Sequence, residues 1–380
     1  MVIKLKDMCD VRDGTHDSPT YVVDGYPLVT SKNIVDGKLD LSVVSYISQE
    51  DYDKINERSN VDDGDIIMPM IGTIGNPCLV QGYTDFAIKN VALIKFPDDR
   101  IKNKYILYFL KSNAFKGYVA SKNKGGTQKF LSLGDIRNIE IPQLSTAEQE
   151  EVICRLEKME SVIKLREREL EQLDNLIKAR FVELFGDVRH EEKYPGIPLR
   201  KLCSTISGGT PSTKFPEYYE GEIPWISTVS LGPNHIDGST AKGYITEEAI
   251  ENSATKLIPA GNILFGTRVG VGKSSLNDVD ICTNQDIVAI VGIDETKYSK
   301  LFIKHVLDAY QPYFDSIKKG ATILGITGED LKASLIPEVP IELQKEYEKF
   351  VEQVDKSKFK KLCYNNLEKK TPLDIFLRND

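Results

Sequence analysis

A chain of 380 residues, 41% hydrophobic and 28% charged, has material for two or three domains with ordinary cores. Its net charge of −8 argues against indiscriminate coating of nucleic acid but leaves room for a local positive patch. The six cysteines form no Cys-x-x-Cys pair, the four histidines lack metal-ligand spacing, and apolar runs such as YILYFL at 105–110 fall far short of the ~20 residues of a membrane helix. Met1 leads into VIKLKDM without a signal-peptide core, so the expectation is a cytoplasmic protein with no disulfide framework, metal site or membrane contact.

The first hundred residues alternate short β-branched stretches with Gly, Pro, Asn and Asp, the mark of short strands and turns. Arg100 to Gly134 then carries eight Lys or Arg and no acidic residue, interleaved with Tyr105, Tyr108, Phe109, Phe115, Tyr118 and Phe130. The pattern NKYILYFLKSNAFKGYV fits a helix that packs these aromatics inward and leaves the lysines after it open for phosphate contact. A last strand ends at Ile141-Pro142, and STAEQEEV opens a long helix with a capping box, Ser145 or Thr146 followed by Glu148 or Gln149. From there Val152, Leu156, Met159, Ile163, Arg166, Leu170, Leu173, Ile177, Arg180 and Leu184 step by four and three, which predicts a coiled-coil seam in which Arg166 and Arg180 set the register or, the preferred reading, simply flank Leu165 and Phe181. Residues 146–185 would make a rod of about 60 Å. Gly186 ends it, and HEEKYPGIP leads onward.

The second half restates the first. GTQKFLSLGDIRNIEIPQLSTAEQEEV aligns without gaps with ATILGITGEDLKASLIPEVPIELQKEY, at the offset of 195 that joins Thr127 to Thr322, Asp135 to Asp330, Pro142 to Pro337 and Gln149 to Gln344. Upstream, IKLKDMC echoes IPLRKLC and GYPLVTS echoes EIPWIST. Each copy is expected to contain short strands, one helix and a final strand at Ile-Pro, followed by a long helix; the second long helix starts its seam with Leu343, Tyr347, Phe350 and Val354. The domain boundaries that follow are 1–144, a helix over 145–187, 188–340, and a helix over 341–380.

Residues 266–275, GTRVGVGKSS, invite comparison with a phosphate-binding loop, but Thr267 stands where the first glycine belongs and no helix-forming segment follows. The matching block of the first copy, from Gly64, has Asn76 in place of Lys273. A strand, a Gly-containing turn and a strand explain both, leaving Lys273 as a loop cation. Two related heads on a helical spacer suit a long, nearly two-fold ligand, and duplex half-sites one or two turns apart are separated by about 34 to 70 Å.

The chain resembles the specificity subunits of type I restriction-modification enzymes. The resemblance covers almost the whole chain and rests on RDGTHDSPTYVVDGYPLVTSKNI (12–34), KFLSLGDIRNIEIPQLSTAEQEEVICRLE (129–157), LIKARFVELFGD (176–187), SGGTPSTKFPEYYEGEIPWIS (207–227) and the Ile-Pro and Gln endings of both repeats. It implies an α+β fold: two homologous mixed α/β target recognition domains separated by two long helices packed as an antiparallel coiled coil. It also implies a non-catalytic subunit that reads an asymmetric, bipartite site on double-stranded DNA and docks two methyltransferase subunits and, through the complex, restriction subunits. No cofactor is then expected on this chain, S-adenosylmethionine and ATP belonging to partner subunits. The C-terminal LEKKTPLDIFLRND departs from the pattern by not repeating LIKARFVELFGD.

The candidate DNA contacts are loop residues beside the shared motifs. In the first domain they are Lys32, Asn33, Lys122, Lys124, Gln128 and Lys129; in the second, Thr213, Lys214, Arg268, Lys273, Lys318 and Lys319. Two rival readings are a two-headed scaffold that recruits proteins and a nucleotide hydrolase using Lys273.

Overall fold

The computed structural model describes the chain except for residues 73, 123–129, 190–192, 321–322 and 369–380, and for 359–368 it describes the backbone alone. The chain divides into two units, Met1–Arg168 with the end of the last helix from Lys361, and Glu169–Lys360.

The first unit opens and closes on one strand pair: Val2–Lys4 runs antiparallel to Glu140–Pro142, with Ile3 opposite Ile141. Between them, Asp10–Asp13, Val91–Lys95, Ile66–Pro69 and Cys78–Leu79 form a four-stranded antiparallel sheet. In a second sheet Tyr26–Val29 pairs with Ser45–Ile47 antiparallel and with Ala87–Ile88 parallel. Helix α1 (Gln49–Ser59) follows an N-cap at Ser48, whose hydroxyl accepts the amide of Asp51. Helices α2 (Asn103–Lys111) and α3 (Asn113–Lys122) cover the first sheet. In α2 the inward face is Tyr105, Ile106, Phe109 and Leu110, the one-sided apolar spacing of a half-buried helix. Where the sequence predicts one helix there are two, because the Ser112 hydroxyl accepts the amide of Phe115 and restarts the turn. The short α4 (Leu133–Arg137) carries a Ser132–Asp135 capping box.

Helix α5 (Thr146–Phe185) begins with the expected box: the Ser145 hydroxyl accepts the Glu148 amide, and the Glu148 carboxylate accepts the Ser145 amide. Val152 and Leu156 reach the core of the first unit. The seam positions Met159, Ile163, Arg166, Leu170 and Leu173 are half-buried.

The second unit repeats the frame. Gly196–Pro198 pairs antiparallel with Leu335–Pro337, with Ile197 opposite Ile336. Ser204–Ser207, Ile287–Val291, Ile263–Gly266 and Ser274–Asn277 follow the order of their counterparts in the first sheet. Ile223–Ile226 again pairs antiparallel with one strand, Gly243–Ile245, and parallel with another, Cys282–Thr283. A short α6 (Glu247–Glu251) precedes α7 (Lys300–Ala309), α8 (Gln311–Ile317) and α9 (Gly328–Lys332), the last with a Thr327–Asp330 capping box in place of Ser132–Asp135. Reproduction of the parallel strand pair and of the cap chemistry makes duplication of one domain the economical account of both units.

The last helix, α10 (Ile341–Glu368), lies antiparallel to the end of α5 within this unit: Arg180 pairs with Glu346 at 2.9 Å and Asp174 with Lys358 at 2.6 Å. Phe181 and Phe185 face inward with Ile177 while Arg180 flanks Phe181 at the rim; at the other arginine the expectation fails, since Leu165 is exposed and Arg166 half-buried. Phe181, Phe185, Phe302 and Tyr347 meet at ring separations of 4.8 to 6.1 Å, mostly edge to face. The aromatic volume, which burial rewards most, decides which side of the stripe turns inward.

Candidate nucleic-acid interface

In the second unit, hydrogen bonds join the loops into one surface. The Gly209 amide donates to the Thr283 carbonyl at 2.8 Å, and Thr210 pairs with Gln285. Thr267 donates to Asp286 O at 2.8 Å, and Ile326 donates to Thr267 O at 2.8 Å. Asn284 donates to Ile226 O at 3.0 Å, which draws in residues 227–230. The first unit repeats three of these links, Thr15 donating to Ile88 O, Leu131 to Met70 O and Lys89 to Val29 O at 2.9 to 3.0 Å, and adds one of its own, Asn90 to Thr15 O at 3.1 Å. Gly14 and Gly208 permit the close approach; a Cβ would come within 2.2 Å of Ile88 O in one case and 2.1 Å of Asn284 O in the other.

The sequence candidates fall into three groups. Lys32, Thr213, Lys214, Arg268, Lys273 and Lys319 are exposed on these loops. Arg268 is only loosely tied, 3.7 Å from Asp286. Asn33 is different: it is buried, its amide nitrogen donates to Asp40 O at 3.2 Å and Val43 O at 3.0 Å, and its oxygen accepts from Thr30. Its side chain is committed to folding its own loop. Lys122 pairs with Asp135 at 3.1 Å and Lys318 with Asp315, so both cations are partly neutralised at home. Lys124, Gln128 and Lys129 lie outside the described residues.

The basic stretch is likewise less open than its composition predicts. Arg100 pairs with Asp98 at 2.8 Å, Lys102 with Glu150 at 3.5 Å and Lys104 with Glu157, two of the acids being supplied by α5. Tyr105, Phe109 and Phe115 are buried and Tyr108 and Tyr118 pack against the core, whereas Phe130 is half-exposed at the edge of the loop surface.

The phosphate-loop question is answered by a hairpin. Phe265 stands opposite Ser274 and Leu264 opposite Ser275, with Gly270 and Gly272 at φ +71° and +85° in the turn. Asn76, at the position of Lys273, donates to Ile34 O at 3.1 Å, which again serves the loop frame. A strand follows the turn, so no helix N-terminus faces its amides.

Sequence reasoning missed the bridge segments Lys89-Asn90 and Asn284-Gln285-Asp286, which supply the bonds to Val29 O, Thr15 O and Ile226 O and accept that of Thr267. The signal was available in the repeat, because the offset of 195 carries Lys89 onto Asn284. It also missed His16, whose ring nitrogens lie 2.7 Å from Asn90 Oδ1 and 3.0 Å from Asp13 Oδ2. Burial raises the thiol of Cys9 to about 12 and those of Cys203 and Cys282 to about 11, so these three are unreactive packing groups. Among the described residues there is no cluster of His, Cys, Asp and Glu able to hold a metal ion, and no helix is long and apolar enough to cross a membrane.

Each unit thus presents a loop surface on a duplicated frame. The type I restriction modification DNA specificity domain matches residues 1–175 and again 193–369, and the chain belongs to that family. It is 24% identical over 93% of its length, and 86% of the relative's, to a chain provisionally named the type I restriction enzyme MjaX specificity subunit of Methanocaldococcus jannaschii. It is 27% identical over 77% of its length, and 72% of the relative's, to the EcoR124I/EcoR124II specificity subunit of Escherichia coli. A solved chain from work on complex assembly and conformational transition of a type I R-M system has the same fold, with a TM-score of 0.59 over 98% of this chain and 94% of that one at 18% identity. As a specificity subunit the chain is non-catalytic, and it serves DNA sequence recognition within a restriction-modification complex.

Proposed function

We propose that each loop surface reads one half of a split, asymmetric target on double-stranded DNA. Target recognition domains over 1–144 and 188–340 do the reading, and helices over 145–187 and 341–380 carry the docking of two methyltransferase subunits. Restriction subunits join through that complex. S-adenosylmethionine and ATP are held by those partners, and the whole works in the cytoplasm, with its DNA.

One observation carries this reading: three of the backbone hydrogen bonds that assemble the loops recur in both units, while the side chains displayed on them differ. A shared frame with unlike surfaces is what two different half-sites require. The reading loops are Lys32, Arg268, Lys273, Lys319 and their neighbours, with Asn33 kept for the frame. Lys122 and Lys318 reach phosphate only by exchanging a carboxylate partner.

The test is co-expression with a type I methyltransferase subunit from the same genome, followed by mapping of modified adenines across that genome. A bipartite motif with a fixed gap is expected; methylation without any split motif rejects the reading. The hydrolase alternative loses its premise with the hairpin at Lys273.

A further inference from the structure

The two loop surfaces differ in chemistry at equivalent positions. Val229 holds the place of Lys32, in the short turn that follows the parallel strand of each unit. Ile323 and Leu324 correspond through the offset of 195 to Gln128 and Lys129. Val229 is 85% exposed, Ile323 54%, Leu324 57%, and Val269, at the tip of the neighbouring hairpin, 52%. The Ile323–Leu324 tip is held out on a short base, with Lys319 and Gly325 exchanging backbone hydrogen bonds at 2.9 and 3.0 Å, and Ile326 anchors it to the hairpin at Thr267.

Exposed aliphatic side chains forfeit transfer free energy, and the Ile323–Leu324 tip, anchored to the hairpin that carries Val269, leaves apolar surface open to an occupant. The same two loops carry exposed cations, Lys319 at the base of the tip and Arg268 and Lys273 on the hairpin, so the occupant expected there is anionic around an apolar contact point. Duplex DNA meets both requirements: phosphates for the cations and, in the major groove, the C5-methyl of thymine for the aliphatic tips. An apolar protein partner would meet the aliphatic tips but offer nothing to Lys319, Arg268 and Lys273.

We propose that Ile323 and Leu324, with Val269 on the adjoining hairpin, read thymine methyl groups in the half-site bound by the second unit. This rests on the DNA-reading function above. The specificity-determining pair is Ile323 and Leu324.

The experiment uses the complex with its methyltransferase and duplexes carrying the mapped target, in which each thymine is replaced in turn by uracil, which lacks only the methyl. At one or more thymines of a single half-site, affinity of the unaltered complex should fall about three- to fivefold, the effect of losing one buried methyl. The Ile323→Ser/Leu324→Ser complex should bind thymine and uracil duplexes alike at those positions and retain the unaltered response to the other half-site, which also shows that it is folded. If binding is specific but indifferent to every uracil, or if the variant keeps the full uracil penalty, this inference is overturned and the split-site reading stands. If the unaltered complex prefers no split target, the failure is that of the underlying reading.

Discussion

Gln149 and Gln344 hold the same post in the two units. Each is fully buried at the start of a long helix; Gln149 accepts the Lys102 amide at 2.8 Å and donates to the carbonyls of Arg100 and Leu144, while Gln344 accepts the Ser299 amide at 2.9 Å and donates to those of Lys297 and Val339. Gln→Ala at either position strips three hydrogen bonds from buried backbone groups and should cost about 3 kcal/mol. Denaturant unfolding of the two variants should reveal losses of similar size, because the environments match.

The helix contact in the second unit rests on aromatic burial. Phe181→Ala removes a ring that touches Phe185, Phe302 and Tyr347 and should destabilise by about 3 to 5 kcal/mol. Arg180→Ala, which loses only rim pairs to Glu183 and Glu346, should leave the melting temperature nearly unchanged.

His305 gives the second unit a pH dependence of known sign. It is buried in α7, with its ring nitrogens 2.5 Å from the Tyr347 hydroxyl and 2.9 Å from Asn234 Oδ1; Asn234 in turn donates to Asp355. Burial, reinforced by Lys304 and Lys358 against the opposing pull of Asp355, lowers its pKa well below 6.5. The neutral ring is therefore the folded form, and below pH 6.5 the unfolded chain binds a proton the folded chain does not. Stability is full above about pH 6.5 and falls as pH drops toward the depressed folded value, by up to about 1.4 kcal/mol per pH unit. Unfolding measured between pH 7.5 and 5.0 should show this slope in the unaltered protein and a shallower one in His305→Gln.

Neighbouring loop residues should separate cleanly by role. Lys32→Ala and Lys273→Ala leave stability unchanged, weaken binding to all DNA sequences and reduce the salt slope by roughly one unit each. Asn33→Ala lowers the stability of the first unit, because it removes the contacts to Thr30, Asp40 and Val43 that shape the loop. ATP turnover by the purified chain, lost in Lys273→Ala, would contradict the hairpin assignment.

The repeat, the long helices, the capping box at Ser145 and the misfit of the phosphate-loop pattern were legible in the sequence, because offset, periodicity and turn chemistry are properties of order along the chain. The constant offset between Asp135 and Asp330 carried through to matching helix caps. Tertiary structure alone decided what each polar side chain is used for. Asn33 and Lys32 are neighbours in sequence, yet one is sealed into its loop and the other projects from it. Lys104 gains Glu157 as a partner from 53 residues away, and Phe181 displaces Arg180 from the helix seam. Exposure and pairing depend on which distant segments arrive beside a residue, and that is set by packing, not by the local pattern.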